Sequence, residues 1–147
     1  MKIDKVTYKD AEIELSMDDL VLFRNILKQV RLALENGGFE TRLNLSPRQA
    51  HGFLEVIAQE IQESNNNESI IGLSGIEIIF FNNLFNEICN GIAVSNFEAK
   101  IGVSRDEVRK KFDLILKLRD EMRSLNEIRR DSYLPSRQKL QQKGEET

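Results

Sequence analysis

The fold is decided by a segment that occurs twice, as IELSMDDL at residues 13–20 and as IGLSGIEI at residues 71–78. Extending the match aligns residues 13–62 with residues 71–120 at a constant offset of 58, without a gap. Nine of the fifty aligned pairs are identical, and most of the other apolar positions are apolar in both copies. Identity at this level can arise by chance, but the matches fall at helix starts and core positions. The sequence therefore predicts an internal repeat.

Four serines mark the predicted starts of four long helices. Each stands three residues before an acid or an amide: Ser16 before Asp19, Ser46 before Gln49, Ser74 before Glu77 and Ser104 before Glu107. At a helix start the serine oxygen accepts a backbone hydrogen bond, and the third residue accepts one from the serine N–H. The predicted long helices cover about 17–35, 47–63, 75–89 and 105–130, with short helical turns near 38–43 and 96–101.

The first fifteen residues and the start of the second repeat carry strand patterns. Alternating apolar residues on either side of Lys9 and Asp10 predict a small β-hairpin over residues 1–15. Residues 70–73 correspond to residues 12–15 at the offset of 58. If these two segments pair, they join the two repeats in one sheet.

The two repeats are expected to share one core. Fifty residues alone make a marginal core, and the third long helix is apolar on nearly all sides, which is typical of a buried helix. The predicted fold class is mainly α: a tandem duplication of a helix–short helix–helix unit, packed as one pseudo-two-fold domain with a small N-terminal β-hairpin. The predicted boundaries are a single domain at 1–131 with repeat one at 13–62, a connector at 63–70, repeat two at 71–120 and a helix extension at 121–131, then a flexible tail at 132–147.

Composition excludes several classes of function. The chain has 147 residues, a net charge of −3, one Cys and one His. One Cys cannot form an internal disulfide, and one Cys with one His cannot build a zinc site. Neither a phosphate-binding motif nor a nucleophile with an adjacent base occurs, so we predict a protein that is not an enzyme and uses no metal or cofactor. Without a membrane-spanning apolar run or a secretory signal, a cytoplasmic location is expected.

Asparagines recur along the third long helix at Asn82, Asn86 and Asn90, with Glu87 beside them. Asparagine has a poor helix propensity, so a stripe of it at helical spacing needs a reason. One interpretation is a surface that recognises the backbone or polar side chains of a partner protein. The other is hydrogen bonding to neighbouring segments of the same fold, because buried amides need partners.

The fourth long helix continues beyond the end of its repeat. Met122, Leu125 and Ile128 extend a heptad-like apolar seam past residue 120. These side chains either pack back on the N-terminal hairpin or form a seam that binds a partner or a second copy of the chain. Both interpretations remain open from the sequence.

The segment NFEAKIGVSRDEV, residues 96–108, resembles the helix-turn-helix of DNA-binding proteins. Its turn glycine, Gly102, has an apolar residue on each side, a serine cap follows, and Val108 stands six positions past the glycine. The first repeat has comparable residues at these places: Phe39, Leu43, Leu45, Ser46 and Ala50. The resemblance covers about twenty residues in each repeat. It implies that Arg105, Arg109 and Lys110 face the groove or the phosphates of DNA.

Three functional hypotheses follow. The first is a non-enzymatic protein that binds another protein, of the inhibitor, bacterial-type immunity or adaptor kind, which fits a mildly acidic chain without a catalytic constellation. The alternative is a helix-turn-helix-like regulator that binds nucleic acid, although neither half of the chain is strongly basic. The second alternative is a structural subunit of a larger assembly, including a homo-oligomer formed through the fourth helix.

Overall fold

The computed structural model describes residues 1–64 and 68–132 and has a mainly helical fold, as predicted. Its elements in chain order are β1 Lys2–Val6, β2 Asp10–Ser16, α1 Met17–Ala33, α2 Phe39–Leu43, α3 Pro47–Glu63, β3 Glu68–Ser74, α4 Gly75–Asn86, a π-helical turn at Glu87–Gly91, α5 Phe97–Ile101 and α6 Arg105–Ser132. The predicted tail, apart from Ser132, and the middle of the predicted connector lie outside the described residues.

The serine caps begin the helices where the sequence predicts. Ser16, Ser46 and Ser74 each form a complete capping box with the residue three positions later. Ser104 provides the serine half of the motif, because its Oγ accepts a hydrogen bond from the Glu107 N–H at 3.2 Å. These bonds satisfy backbone groups that a helix start otherwise leaves without partners, which is why the local sequence determines each start.

The N-terminal hairpin is part of a larger sheet. β1 pairs with β2 and β2 pairs with β3, both antiparallel, so the sheet has three strands in the order β1-β2-β3. The predicted hairpin is thus two strands of a three-stranded sheet, and the pairing of residues 12–15 with residues 70–73, which the sequence left open, is present. Ile13 lies directly opposite Ile71 in the register of β2 and β3. This pairing links the two halves of the chain through backbone hydrogen bonds.

The core lies between α1 and α4. The Phe23 ring of α1 packs against the Phe81 ring at 4.9 Å and the Phe85 ring at 5.9 Å between centroids. Most apolar residues of α4 are buried, as its composition predicts, whereas Ile76 and Ile79 in its first turns are exposed. α4 therefore forms the centre of the domain at its C-terminal part and reaches the surface near its start.

The elements of the second half begin 58 residues after their counterparts in the first half. This spacing separates β2 from β3, α1 from α4, α2 from α5 and α3 from α6. Asn44 and Gly102, which end the two short helices, both adopt the left-handed backbone conformation. Each short helix packs against the long central helix of the other half, α2 on α4 and α5 on α1. Asn25 of α1 reinforces one of these contacts, because its Nδ2 donates to the Ile101 carbonyl at 3.0 Å.

A buried carboxylate ties the start of α1 to α6. Asp19 is 3% exposed, and its Oδ1 accepts a hydrogen bond from Lys111 Nζ at 2.9 Å. Its Oδ2 lies 3.0 Å from the Met1 ammonium and also accepts from the Ser16 N–H. Burial raises the pKa of Asp19, but the hydrogen bonds from Ser16, Lys111 and the N-terminal ammonium outweigh it and hold the pKa below its ordinary value.

We expect this carboxylate to contribute stability that acid removes. Because the pKa of Asp19 is lower in the folded state, its contribution is complete above the ordinary value of 3.8 and is lost as the pH falls through the folded value. Asp19→Asn should lower the free energy of unfolding at neutral pH by about 3 kcal/mol. It should also flatten the loss of stability as the pH falls below the ordinary value of 3.8. Urea unfolding followed by circular dichroism measures both effects.

Asp18→Asn is the matched control, because Asp18 is the exposed neighbour of Asp19 in the same helical turn. It should change stability by only a few tenths of a kcal/mol. An Asp19→Asn protein whose stability falls with acid as steeply as that of the wild type would contradict the proposed origin of the effect.

Candidate functional site

The central helix α4 ends in a π-helical turn at Glu87–Gly91. The Ile92 N–H donates to the Glu87 carbonyl at 2.8 Å, five residues back in the chain. The sequence predicts an ordinary helix to residue 89, so the turn extends the helical segment and changes its type. At the corresponding place α1 ends in ordinary α-geometry, with the Leu34 N–H bonded to the Val30 carbonyl. π-helical turns are rare and often occur at functional sites.

An ion pair between a buried glutamate and a half-exposed arginine of the other half of the chain holds the turn. Glu87 is 8% exposed, and its Oε2 accepts a hydrogen bond from Arg42 Nη1 of α2 at 3.3 Å. Gly91 makes room for this carboxylate, because a Cβ built on Gly91 would collide with the Glu87 side chain. The Glu87 side chain, which the sequence assigns to partner binding, is therefore already paired within the fold.

The asparagine stripe is partly buried and partly exposed. Asn82 is 7% exposed; its Nδ2 donates to Asn83 Oδ1 at 3.3 Å, whereas its Oδ1 has no hydrogen-bond partner among the described residues. Asn86 and Asn90 are exposed, and Asn90 Nδ2 donates to Asn86 Oδ1 at 3.1 Å. The structural interpretation thus fits Asn82, which is buried. The partner-binding interpretation stays a prediction for Asn86 and Asn90, which are exposed.

A cavity of about 140 Å³ opens between the π turn and the first turns of α6. Its lining combines apolar and charged side chains: Ile88, Cys89, Phe97, Arg105, Asp106 and Arg109. Exposed Asn86 precedes Cys89 by three residues, at the end of α4. The lining thus includes Arg105 and Arg109, which the resemblance assigns to DNA binding, and Asn86 and Asn90 flank the two residues of the π turn that line the cavity. We call this region the π-turn cleft.

The arginines of the cleft already have partners within the fold. Arg105 Nη2 donates to the Val94 carbonyl at 3.1 Å, and its guanidinium lies 4.3 Å from the centre of the Phe97 ring. Arg109 forms an ion pair with Asp113 at 3.4 Å. Lys110 is exposed and makes no ion pair among the described residues. Of the three residues implied by the helix-turn-helix resemblance, Arg109 is thus paired with a carboxylate, Arg105 is held by neutral groups, and Lys110 is exposed.

Cys89 is the chain's one thiol and lies at the edge of the cleft. Partial burial raises the pKa of this thiol, although Arg109 and Arg105 act in the opposite direction. A raised pKa leaves the thiol protonated at neutral pH, and a protonated thiol is a poor nucleophile. Within residues 1–64 and 68–132, we find no cluster of three side chains that could hold a metal ion.

The three residues of the predicted apolar seam on the extension of α6 differ in burial. Met122 is 8% exposed and belongs to the core, Leu125 is half-buried, and Ile128 is 65% exposed. The Arg129 guanidinium stacks 4.5 Å from the centre of the Tyr8 ring, in the turn between β1 and β2. The start of the extension thus packs on the domain itself, whereas Ile128 presents an apolar side chain to solvent.

Sequence analysis missed a second groove, which lies between α1 and α3. It has a volume of about 470 Å³, and its lining includes Lys28, Arg31 and His51. The signal was available in the repeat alignment, since Lys28 and His51 correspond to Asn86 and Arg109 of the π-turn cleft. We call this groove the α1–α3 groove.

Comparison with protein-family models, with curated proteins and with solved structures found no match for this chain. Among the described residues, every helix is too short or too polar to cross a membrane. Function is therefore inferred from the geometry of the π-turn cleft and of the α1–α3 groove.

Because Glu87 is paired with Arg42, we expect the effect of Gly91→Ala on the free energy of unfolding to change sign when Glu87 is replaced. Gly91→Ala should lower the free energy of unfolding by about 1 kcal/mol, because the new Cβ displaces the Glu87 carboxylate from Arg42. In a Glu87→Ala background the same change should raise stability by up to about 1 kcal/mol, because alanine favours helical structure over glycine. Thermal or urea unfolding of the four proteins measures the reversal.

Gly52→Ala serves as the control, because Gly52 lies within α3 and a Cβ there meets no neighbouring atom. It should be stabilising in both backgrounds. If Gly91→Ala has the same effect with and without Glu87, the carboxylate does not determine the geometry of the turn.

Proposed function

We propose that this chain is a non-enzymatic, cytoplasmic protein that binds another protein through the π-turn cleft, as an inhibitor, an immunity protein or an adaptor does. The observation that carries the proposal is the π turn itself. It continues the central helix α4, and its Ile88 and Cys89 line the cavity while Asn86 and Asn90, on either side of them in the chain, are exposed. An irregular turn at the end of the central helix, held by an ion pair with another segment, has a reason if it shapes a binding surface.

The chemistry of the cleft fits a polypeptide partner. The Asn86 and Asn90 amides each carry donors and acceptors, so they can bond to a partner's backbone or to its polar side chains. In the adjoining cavity, Cys89 is half-buried and Phe97 is 8% exposed, and both offer apolar surface to a small side chain. Interfaces commonly combine such an apolar pocket with a polar rim.

The finer architecture is also a proposal: the chain is a tandem duplication whose halves are related by a pseudo-two-fold axis. The constant spacing of 58 residues between corresponding elements supports it. The strand register supports it as well, because Ile13 and Ile71 are equivalent in the repeat and lie opposite each other in the sheet. An axis through this pair would relate the π-turn cleft to the α1–α3 groove.

A nucleic-acid-binding regulator is the second candidate. The left-handed turns at Asn44 and Gly102 are the observation in its favour, because they give both halves the tight turn of a helix-turn-helix. Against it, Arg109 pairs with Asp113 and Arg105 contacts the Val94 carbonyl and the Phe97 ring, so both arginines would have to leave these contacts to bind a phosphate. A structural subunit that self-associates through Leu125 and Ile128 is the third candidate, favoured by the exposure of Ile128.

The decisive experiment identifies the partner and then tests the cleft. The native protein is purified from its own source, the co-purifying protein is identified, and its affinity is measured by calorimetry. Asn86→Lys and Asn90→Lys should each weaken binding by about tenfold or more, as expected for residues at the centre of an interface. Lysine has a better helix propensity than asparagine, so both variants should remain folded.

Two comparisons make this test specific. Asn36→Lys introduces the same change at an exposed position between α1 and α2 and should leave the affinity unchanged. A labelled DNA duplex should bind only weakly and lose its affinity by about 150 mM salt. Wild-type affinity in both cleft variants would refute the proposed site. Tight, sequence-selective DNA binding at that salt, lost in Arg109→Ala, would favour the regulator instead.

A further inference from the structure

We propose that the α1–α3 groove is a second binding site, which takes a partner segment carrying one acidic side chain between apolar ones. The groove has a volume of about 470 Å³ and lies on the first half of the chain. α1 contributes residues spaced three and four apart, so they form one face of the helix: Arg24, Leu27, Lys28 and Arg31. His51 and Leu54 line the opposite wall on α3. This inference is independent of the π-turn cleft and of its proposed partner.

The positive charge of the groove is concentrated at its middle. Lys28 and Arg31 are exposed and form no ion pair among the residues that the structure describes. Arg24 is different, because its guanidinium pairs with Glu55 at 2.9 Å. Glu35 is an acid of the lining and lies in the turn that follows α1, four residues after Arg31. Lys28 and Arg31 thus lie between Arg24, whose charge is paired with Glu55 of α3, and Glu35 at the end of the lining.

This arrangement selects the kind of anion that fits. A single carboxylate can contact both Lys28 and Arg31, and it adds one negative charge beside two cations that form no ion pair among the described residues. A polyanion such as a nucleic-acid backbone would extend along the groove toward Glu35 and Glu55, and like charges repel each other at such distances. The charge distribution therefore favours an acidic residue within a peptide segment over a chain of phosphates.

The walls of the groove favour apolar neighbours of that acidic residue. Leu27 and Leu54 are buried in the floor, whereas Leu32 is 55% exposed at the rim. An apolar side chain placed against Leu32 would remove surface from water, which contributes about 25 cal/mol per Å² of apolar area. The occupant that matches both features is a protein segment of the type apolar–acidic–apolar.

The corresponding surface of the second half has different chemistry. At the offset of 58, Arg24 and Lys28 correspond to Asn82 and Asn86, and Arg31 corresponds to Cys89. The cations of α1 thus have no cationic counterparts on α4 or in the π turn, and the arginines of the π-turn cleft, Arg105 and Arg109, lie on α6 instead.

The test uses the full chain and a defined probe. The peptide N-acetyl-Leu-Glu-Leu-amide is titrated to about 10 mM into ¹⁵N-labelled protein, a range suited to weak binding. His51 is the chain's one histidine, so its ring protons give a resolved signal from the groove wall. We expect saturable shifts of the His51 ring and of the amides of Lys28 and Arg31. The peptide with Gln in place of Glu should bind at least about tenfold more weakly.

The matched variants carry equal changes of charge. Lys28→Gln with Arg31→Gln should abolish the shifts, whereas Lys117→Gln with Arg130→Gln, both exposed on α6, should leave them unchanged. The amide spectrum of each variant reports whether the protein remains folded. Absence of shifts at the groove, or equal binding of the Glu and Gln peptides, overturns the proposal. Inorganic phosphate that binds as tightly as the Glu peptide also overturns it, because the site would then recognise small anions.

Discussion

The pairing of β2 with β3 is the constraint on which the rest of the structure depends. Each of these strands runs directly into a long helix through a capping serine, Ser16 or Ser74. The antiparallel register places these serines at opposite ends of the strand pair, so the register also determines where α1 and α4 begin relative to each other. The phenylalanine rings of the two helices can then meet in one core, and neither half needs to bury its apolar surface alone.

The candidate site depends on the packing of each short helix against the central helix of the other half. α2 belongs to the first half but packs on α4, and its Arg42 supplies the cation that pairs with Glu87. A buried carboxylate is unfavourable without such a partner, so the geometry of the π turn depends on a segment 45 residues earlier in the chain. The π-turn cleft is for this reason a property of the whole domain.

The turns that resemble a helix-turn-helix occur here beside cations that make contacts within the domain. The tight turns at Asn44 and Gly102 have the backbone conformation that the resemblance implies. Lys111 stands on α6 where a helix-turn-helix has an apolar residue, and here it binds the buried Asp19. Arg105 likewise binds the loop that precedes α5, at the Val94 carbonyl. Cations near the start of α6 thus stabilise this domain, which reduces the charge left for a nucleic acid.

Local features of this protein follow from the sequence, because they depend on residues within a few positions of each other. The serine caps, the short helices, the left-handed turn at Gly102 and the strand at 70–73 are of this kind. The tertiary structure decided the π turn, the burial of Asn82 and Met122, and the α1–α3 groove. Each of these depends on which distant segment packs beside it: α2 beside Glu87, the hairpin beside the end of α6, and α3 beside Lys28. Helical spacing predicts which residues share a face, whereas the packing of distant elements determines whether that face is buried, paired or open to a ligand.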